Sequence, residues 1–347
     1  METRDLRFLL ALSAPLVPIV GQRIGDNFHA FWVFFVVYPL LDFAIGRRMA
    51  ESSGAELARL EQSAFFRAIL YAYVPLHLVL IAWGASVVDS LEGWQAVGLT
   101  LSVGLVCGAQ GITAAHELGH KSGRLERWLA RVLLYTVSYG HFTIEHNRGH
   151  HVRVATREDP ASARYGESFW RFLPRTLRGS YLHAWRLELA RLAPRGLRWW
   201  SARNEMLWAT LAPFAVAAAL GAAFGPLAAV FFFGQSAMAI ALLEAVNYVE
   251  HYGLERAHDR HGSYERVGAR HSWDANEWLT NATLFHLQRH ADHHLRPMRP
   301  YAALQPQAES PKLPTGYAGM IPLALVPPLW FAVMNPRVPR AAAAAIA

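Results

Sequence analysis

The sequence has little cysteine and little charge, and each shortage excludes a class of protein. Cys107 is its one cysteine, which excludes an internal disulfide, a metal site of four thiolates and a built-in iron–sulfur cluster. Any redox chemistry therefore needs electrons from a partner. Charged residues make up 17% of the 347 residues and hydrophobic residues 53%, whereas soluble chains carry about 25% charged residues. This composition is typical of a membrane bundle.

The net charge of +7 comes mainly from arginines in one part of the chain, between Lys121 and Arg203. The short link 89–93, in contrast, is acidic. A basic excess on one set of loops is what the positive-inside rule predicts for cytoplasmic segments. We therefore expect no nucleic-acid partner. The arginine run 171–203 is predicted to face the lipid headgroups of the bilayer or, alternatively, an acidic electron carrier.

Apolar stretches of the length that crosses a bilayer, about 20 residues, recur along the chain. Six segments are predicted to span: 7–22, 28–46, 65–88, 94–115, 205–224 and 225–248. The first is the weakest, because Pro15 and Pro18 lie inside it.

These segments predict an all-α integral membrane protein, a six-transmembrane-helix bundle formed by one domain over 1–347. With a cytoplasmic N-terminus, segments 116–204 and 249–319 form a histidine-rich cap on the cytoplasmic face of the inner membrane.

Nine of the 17 histidines lie in four short sequence motifs, which we call words. The words are HELGH (116–120), EHNRGHH (145–151), NYVEHYGL (247–254) and LQRHADHH (287–294). Residues three and four apart share a helix face, so each word can aim its histidines at one centre. Imidazole suits iron, copper, zinc and nickel, and so dense a set predicts more than one ion. The predicted ligands are His116, His120, His146, His150, His151, His251, His290, His293 and His294.

Two other enzyme or binding classes use histidines in related patterns. HELGH matches HExxH, in which two histidines bind zinc and the glutamate, here Glu117, acts as the base of a peptidase. That site needs three protein ligands, whereas this chain offers nine in matching clusters. A haem-binding electron-transfer bundle needs histidine pairs within facing spans, whereas these histidines cluster at span ends and in loops.

Several polar residues accompany the words. Glu244 shares a helix face with His251. Together with Asp159 and Asp292 it is a candidate for orienting a histidine through its free ring nitrogen, although interhelical, surface or capping roles are alternatives. The histidines that flank the clusters are predicted to be outer groups or substitute ligands: His141, His271 and His286. The remaining histidines are expected to be incidental, three of them solvated (His183, His258, His261) and two within spans (His29, His77).

Longer words around these histidines resemble the AlkB-type membrane alkane 1-monooxygenase family, within the fatty-acid desaturase-like superfamily. They are HELGHK, EHNRGHHVRVATREDPASA, NYVEHYGL and HSWDANEWLTNATLFHLQRHADHH. NYVEHYGL is the word that distinguishes the hydroxylases from desaturases. Xylene monooxygenase is a close relative, which leaves a linear alkane or an alkyl-aromatic methyl group open as substrate.

The resemblance implies six transmembrane helices and a non-haem di-iron centre held by the nine histidines. It also implies O2 as co-substrate, oxygen insertion into an unactivated C–H bond, and electrons from rubredoxin through rubredoxin reductase. A lipid desaturase of the same superfamily is the nearest alternative.

Overall fold

The computed structural model describes residues 2–49, 51–258 and 262–339, and within these ranges it contains helices and no β-strand. Short 3₁₀ turns and loops join the helices. The helices are α1 (Thr3–Ser13, of the 3₁₀ type), α2 (Leu16–Arg23), α3 (His29–Ile45), α4 (Gly54–Ser90), α5 (Trp94–Gly119), α6 (Arg124–Tyr135), α7 (142–153), α8 (Phe169–Leu192), α9 (Glu205–Phe224), α10 (Pro226–His251), α11 (Trp278–Thr283), α12 (His290–Leu295), α13 (Tyr317–Ala324) and α14 (Pro327–Met334).

Among the described residues, four helices are long and apolar enough to cross a membrane: α4, α5, α9 and α10. The predicted first span is a pair, α1 and α2, bent by 53°. The bend falls where Pro15, which has no backbone N–H, interrupts the helical hydrogen bonds. Counted as one broken span, the pair makes five. Helix α3 is apolar but shorter than a full span, so the predicted number of six is not confirmed.

Helix α10 lies at the centre of the bundle and packs against α4, α5, α9 and α13. It approaches α5 closely because α5 has glycines at the contact. A Cβ at Gly104 would lie 2.5 Å from the carbonyl oxygen of Gln235, and one at Gly108 would lie 2.8 Å from that of Ala239. Outward-facing apolar side chains such as Leu211 and Phe214 of α9 are more than half exposed, as expected of a surface that contacts lipid.

Three helices contain a π-helical turn, in which the backbone hydrogen bond runs from i to i+5. The turns cover Val33–Val37 in α3, Cys107–Ile112 in α5 and His146–His150 in α7. The C-terminal ends of α5 and α10 meet α7 and α12 at one end of the bundle, and the histidine words lie there.

Candidate metal centre

The nine histidines of the four words converge into two groups. The five-histidine group consists of His116, His120, His146, His151 and His293, and the four-histidine group of His150, His251, His290 and His294. Within each group the candidate ligand atoms all lie within 4.8 Å of one another. Eight of the nine side chains are buried, and His151 is partly buried.

Four members of the five-histidine group form a square of ring nitrogens. The Nε2 atom of His116 lies 2.9 Å from that of His146 and 3.0 Å from that of His293. The Nε2 atom of His151 closes the square, at 3.0 Å from both His146 and His293. Two nitrogens bound to one ion at about 2.1 Å, at a right angle, lie about 3.0 Å apart. The side lengths therefore match the spacing expected of neighbouring nitrogen ligands that would hold one metal ion.

The four-histidine group is arranged as a chain of contacts. The Nε2 atom of His294 lies 2.9 Å from that of His290 and 3.2 Å from that of His150. The Nε2 atom of His251 lies 3.1 Å from that of His290. The groups adjoin, since the ring centroids of His151 and His294 are 4.5 Å apart. The geometry can therefore hold two ions side by side.

Two of the words divide their histidines between the groups, contrary to the expectation that each word aims at one centre. In α7, His146 and His151 belong to the five-histidine group and His150 to the other. The π-helical turn places residues five apart on the same side. In α12, His290 and His294 share a group and His293 faces the other. HELGH alone keeps its pair, His116 and His120, together.

Burial keeps most of these imidazoles neutral. Desolvation, followed by repulsion from neighbouring histidines, lowers the pKa of His146 and His293 well below the usual range. His150 differs: burial acts to lower its pKa, but the charge and hydrogen bond of Asp159 outweigh burial and raise that pKa. Neutral imidazole is the form that binds a metal, so the donor set matches that role.

The contacts between nitrogens also point to a cation. The His116 Nε2 atom faces two other ring nitrogens at about hydrogen-bond distance, and a neutral imidazole cannot satisfy both as a single donor. The Nε2 atom of His120 is buried without a hydrogen-bond partner. An ion at the centre of each group would accept these lone pairs, so the residues present fit bound metal.

Two histidines have partners that fix their rings. The Nδ1–H of His150 donates to Asp159 at 2.8 Å, and Ser162 donates to the same carboxylate at 2.6 Å. The Nδ1–H of His251 donates to the backbone carbonyl of His271 at 3.2 Å. Each contact leaves Nε2 free to face the group. The Asp159 prediction thus corresponds to a direct contact, and His271 acts through its backbone.

The other predicted accompanying residues make no hydrogen bond to the nine histidines. Glu244 accepts from Tyr139, Thr176 and Asn247 at 2.6 Å, 2.8 Å and 3.2 Å, which is the interhelical alternative. Asp292 binds Arg299 at 3.0 Å and the side-chain amide of Gln307 at 2.8 Å. His141 packs against Tyr139 and Tyr181, and His286 bonds the carbonyl of Tyr301 at 3.0 Å.

Three glutamates at the site were not singled out as partners by the sequence. Glu250 places Oε2 3.2 Å from Nε2 of His290 and accepts a hydrogen bond from Tyr317 at 2.8 Å. Its position just after a predicted span and directly before His251 was the available signal. Glu145 lies 3.0 Å from His183. Glu117 of HELGH faces Lys121 at 2.6 Å and the Tyr301 backbone at 3.1 Å.

The four described histidines among those expected to be incidental lie outside both groups. His183, predicted to be solvated, is instead largely covered by its contact with Glu145. His77 is buried and lies 3.0 Å from the Thr136 hydroxyl. His29 contacts Asp26, and His258 is exposed. His261 lies outside the described residues.

A family model defines the class of this protein. Residues 92–324, more than half of the chain, match the model described as fatty acid desaturase. That range contains all nine histidines of the two groups. The chain thus has a fatty acid desaturase-like domain, and its four long apolar helices make it a multi-pass membrane protein.

Sequence identity to individual proteins identifies the family within this class. Alkane 1-monooxygenase 1 of Pseudomonas aeruginosa is 44% identical over 344 residues, covering 96% of this chain and 89% of the relative. Alkane 1-monooxygenase 2 of the same organism is 48% identical over 327 residues, covering 91% and 86%. The hydroxylase component of a xylene/toluene monooxygenase of Pseudomonas putida is 24% identical over 333 residues, covering 92% and 86%. This chain belongs to the alkane 1-monooxygenase family, which confirms the resemblance of its motifs.

Proposed function

We propose that this protein is a membrane monooxygenase that hydroxylates a terminal or methyl carbon of a hydrocarbon, converting an alkane into a 1-alkanol. One oxygen atom of O2 enters the C–H bond, and the other leaves as water after two electrons and two protons have been supplied. The observation that carries the proposal is the pair of adjoining histidine groups beside an apolar cavity. Membership of the alkane 1-monooxygenase family supports it.

The apolar cavity lies between α3, α5, α10, α13 and the segment 280–287, and its empty space is about 540 Å³ including the part open to solvent. Its walls are mostly aliphatic and aromatic, including Phe34, Tyr38 and Leu242. Thr113 lies one helical turn before His116, and Leu287 lies three residues before His290, so the walls continue into elements that carry ligands. Such a cavity binds a hydrocarbon by removing its surface from water.

We assign one iron ion to each histidine group. When bound, the iron pair would supply the activation of O2, which no amino-acid side chain can perform. The chain contributes the rest: it keeps most of the imidazoles neutral by burial and fixes the His150 ring through Asp159. The apolar walls exclude water from the reacting carbon.

Electrons must come from outside the chain, since Cys107 is its one cysteine and is buried. We propose rubredoxin, reduced by rubredoxin reductase, as the donor. We further propose the predicted topology: one domain over 1–347, six spans in the inner membrane if α1–α2 and α3 both cross it, and a metal centre on the cytoplasmic face.

The alternatives differ in what they require of named residues. A zinc peptidase needs Glu117 to face the metal-bound water, whereas here Glu117 is engaged by Lys121 and the Tyr301 backbone. A xylene-type methyl hydroxylase uses the same centre, so only the cavity and its substrates distinguish it from an alkane hydroxylase.

Metal analysis and product analysis test the proposal together. The purified protein is expected to contain about two irons per chain; one zinc per chain or a haem Soret band would contradict it. Octane, a longer alkane and a xylene are then incubated with reduced rubredoxin and O2. A 1-alkanol from either alkane supports the proposal, and products from xylene alone identify the methyl-aromatic alternative. A double bond in an acyl chain, with no alcohol, would overturn the hydroxylase assignment.

A further inference from the structure

A polar cleft, whose lining includes none of the nine histidines, lies between the start of the chain and the segment that leads into α12. Its volume is about 440 Å³ including the part open to solvent. Three arginines that form no ion pair with any described residue line it: Arg7 of α1, Arg48 after α3, and Arg289 just before α12. The cleft therefore brings together cations that are far apart in the sequence.

The guanidinium groups of Arg7 and Arg289 are only partly compensated, that of Arg7 by the Phe8 ring 4.9 Å away. Among the described residues, no carboxylate lies at ion-pairing distance from Arg7, Arg48 or Arg289. Arg289 is 6% exposed; its Nη1 donates to the Leu304 carbonyl and its Nε is buried without a partner. Arg7 donates to His286 at 3.3 Å, and its Nε is also buried and unpartnered. An unpaired charge that is removed from water raises the free energy of the folded state. An anion from outside the chain would lower that cost for these cations.

The carboxylates nearby are mostly committed elsewhere. Asp5 lies 2.7 Å from Arg59, and Glu56 lies 2.7 Å from Arg4. Glu51 at the rim is exposed and makes no ion pair within the described part of the chain. Since His286 uses its Nδ1–H for the Tyr301 carbonyl, its Nε2 accepts from Arg7 and adds no donor to an incoming anion. The charged donors without an acidic partner in the cleft are thus the arginines.

We propose that this cleft, which we call the arginine cleft, binds a phosphate group. Guanidinium groups present paired N–H donors that match the oxygens of a phosphate. The phosphate can come from a lipid headgroup or from free inorganic phosphate. The lipid source is favoured by α1, where Leu6, Leu9 and Leu10 are exposed beside the cleft and would contact acyl chains.

Thermal unfolding of the full-length protein in neutral detergent tests the proposal. Sodium phosphate is compared with sodium chloride at equal ionic strength, and phosphatidylglycerol is compared with phosphatidylcholine. A ligand that binds only the folded state raises Tm with its concentration. We expect phosphate or phosphatidylglycerol to raise Tm by several degrees. A response to both identifies a general phosphate site, and a response to phosphatidylglycerol alone identifies a lipid headgroup site.

Variants locate the effect in the cleft. Arg7→Gln and Arg48→Gln should each lose more than half of the rise in Tm, and Glu51→Gln should enlarge it by removing a repelling charge. Arg23→Gln, which changes an exposed arginine at the end of α2, should respond like the parent protein. The proposal is overturned if neither probe raises Tm, or if Arg7→Gln and Arg48→Gln respond as strongly as Arg23→Gln. Arg289→Gln is not needed for the test, because a buried change there can impair folding by itself.

Discussion

At the scale of single residues, the histidines of the four-histidine group differ in what their second ring nitrogen, Nδ1, contacts. His150 has a buried carboxylate behind its ring, and His251 has a backbone carbonyl. His290 and His294 have Nδ1 atoms that are buried without a hydrogen-bond partner. A carboxylate partner makes an imidazole a stronger donor and fixes its orientation. The four-histidine group is therefore held unevenly, and His150 is its most firmly positioned member.

Removing the charge of the Asp159 carboxylate, which contacts His150, should lower the affinity for metal. For Asp159→Asn we expect a roughly 10- to 100-fold loss of metal affinity, the usual effect of losing such a partner. The affinity is measured from the iron that each protein retains in the presence of chelators of increasing strength. Glu244→Gln is the matched control, because it also neutralises a buried carboxylate but one that contacts no histidine. Equal iron loss in both variants would show that buried charge in general matters, and not the His150 contact.

Replacing His251 should lower the iron content of the protein without removing all of its iron. His251→Ala removes one of four nitrogens from the four-histidine group and leaves the five-histidine group complete. Iron content should fall from about two towards about one per chain. His258→Ala, which changes an exposed histidine outside both groups, should keep its iron. Full occupancy in His251→Ala would remove that residue from the ligand set.

At the scale of elements, α7 decides how the histidines are divided. Its π-helical turn holds His146 and His151 on one side and leaves His150 for the other. Gly149 lies inside this turn, pressed against the pair Glu145–His183. A Cβ there would lie 2.5 Å from the Glu145 carboxylate and 2.8 Å from a His183 ring carbon. The glycine is what lets the turn, the carboxylate and the ring occupy the same space.

We expect Gly149→Ala to disturb both stability and metal binding. Overpacking of this kind typically costs about 1–3 kcal/mol, so Tm should fall, and iron should be lost as α7 shifts. Gly221→Ala on α9 is the control, since its Cβ would meet Ala229 at an ordinary 3.5 Å. Thermal unfolding and iron content of the two variants are compared. A Gly149→Ala protein with normal Tm and iron would mean that α7 adapts without cost.

At the scale of the whole molecule, the apolar cavity depends on elements from most of the chain. Filling it with Ala318→Leu should favour shorter alkanes, because the added side chain shortens the space for the substrate. Phe35→Ala, which enlarges the same cavity from α3, should shift preference towards longer ones. The ratio of kcat/KM for hexane and dodecane measures both. If the two variants shift this ratio in the same direction, the cavity does not select chain length.

The sequence predicted much of this arrangement, because histidine words three and four residues apart are a local signal. It did not predict the division of His150 from His151, which depends on a π-helical turn that spacing alone does not reveal. Glu250 and the arginine cleft were also missed, since their contacts join residues distant in the chain. The expectation of six spans depended on the length of the apolar stretches alone. The break at Pro15 and the shortness of α3 reduce the number of helices that are long enough to span.

The interleaving of the two histidine groups has a consequence for biosynthesis. Each group takes at least one member from α12, so neither is complete until the ribosome has made the last of the four words. Most of the membrane helices precede that word and can insert into the bilayer before it emerges. The complete ligand set of either group is therefore available only after translation of residue 294, and a chain interrupted before α12 would lack ligands in both groups.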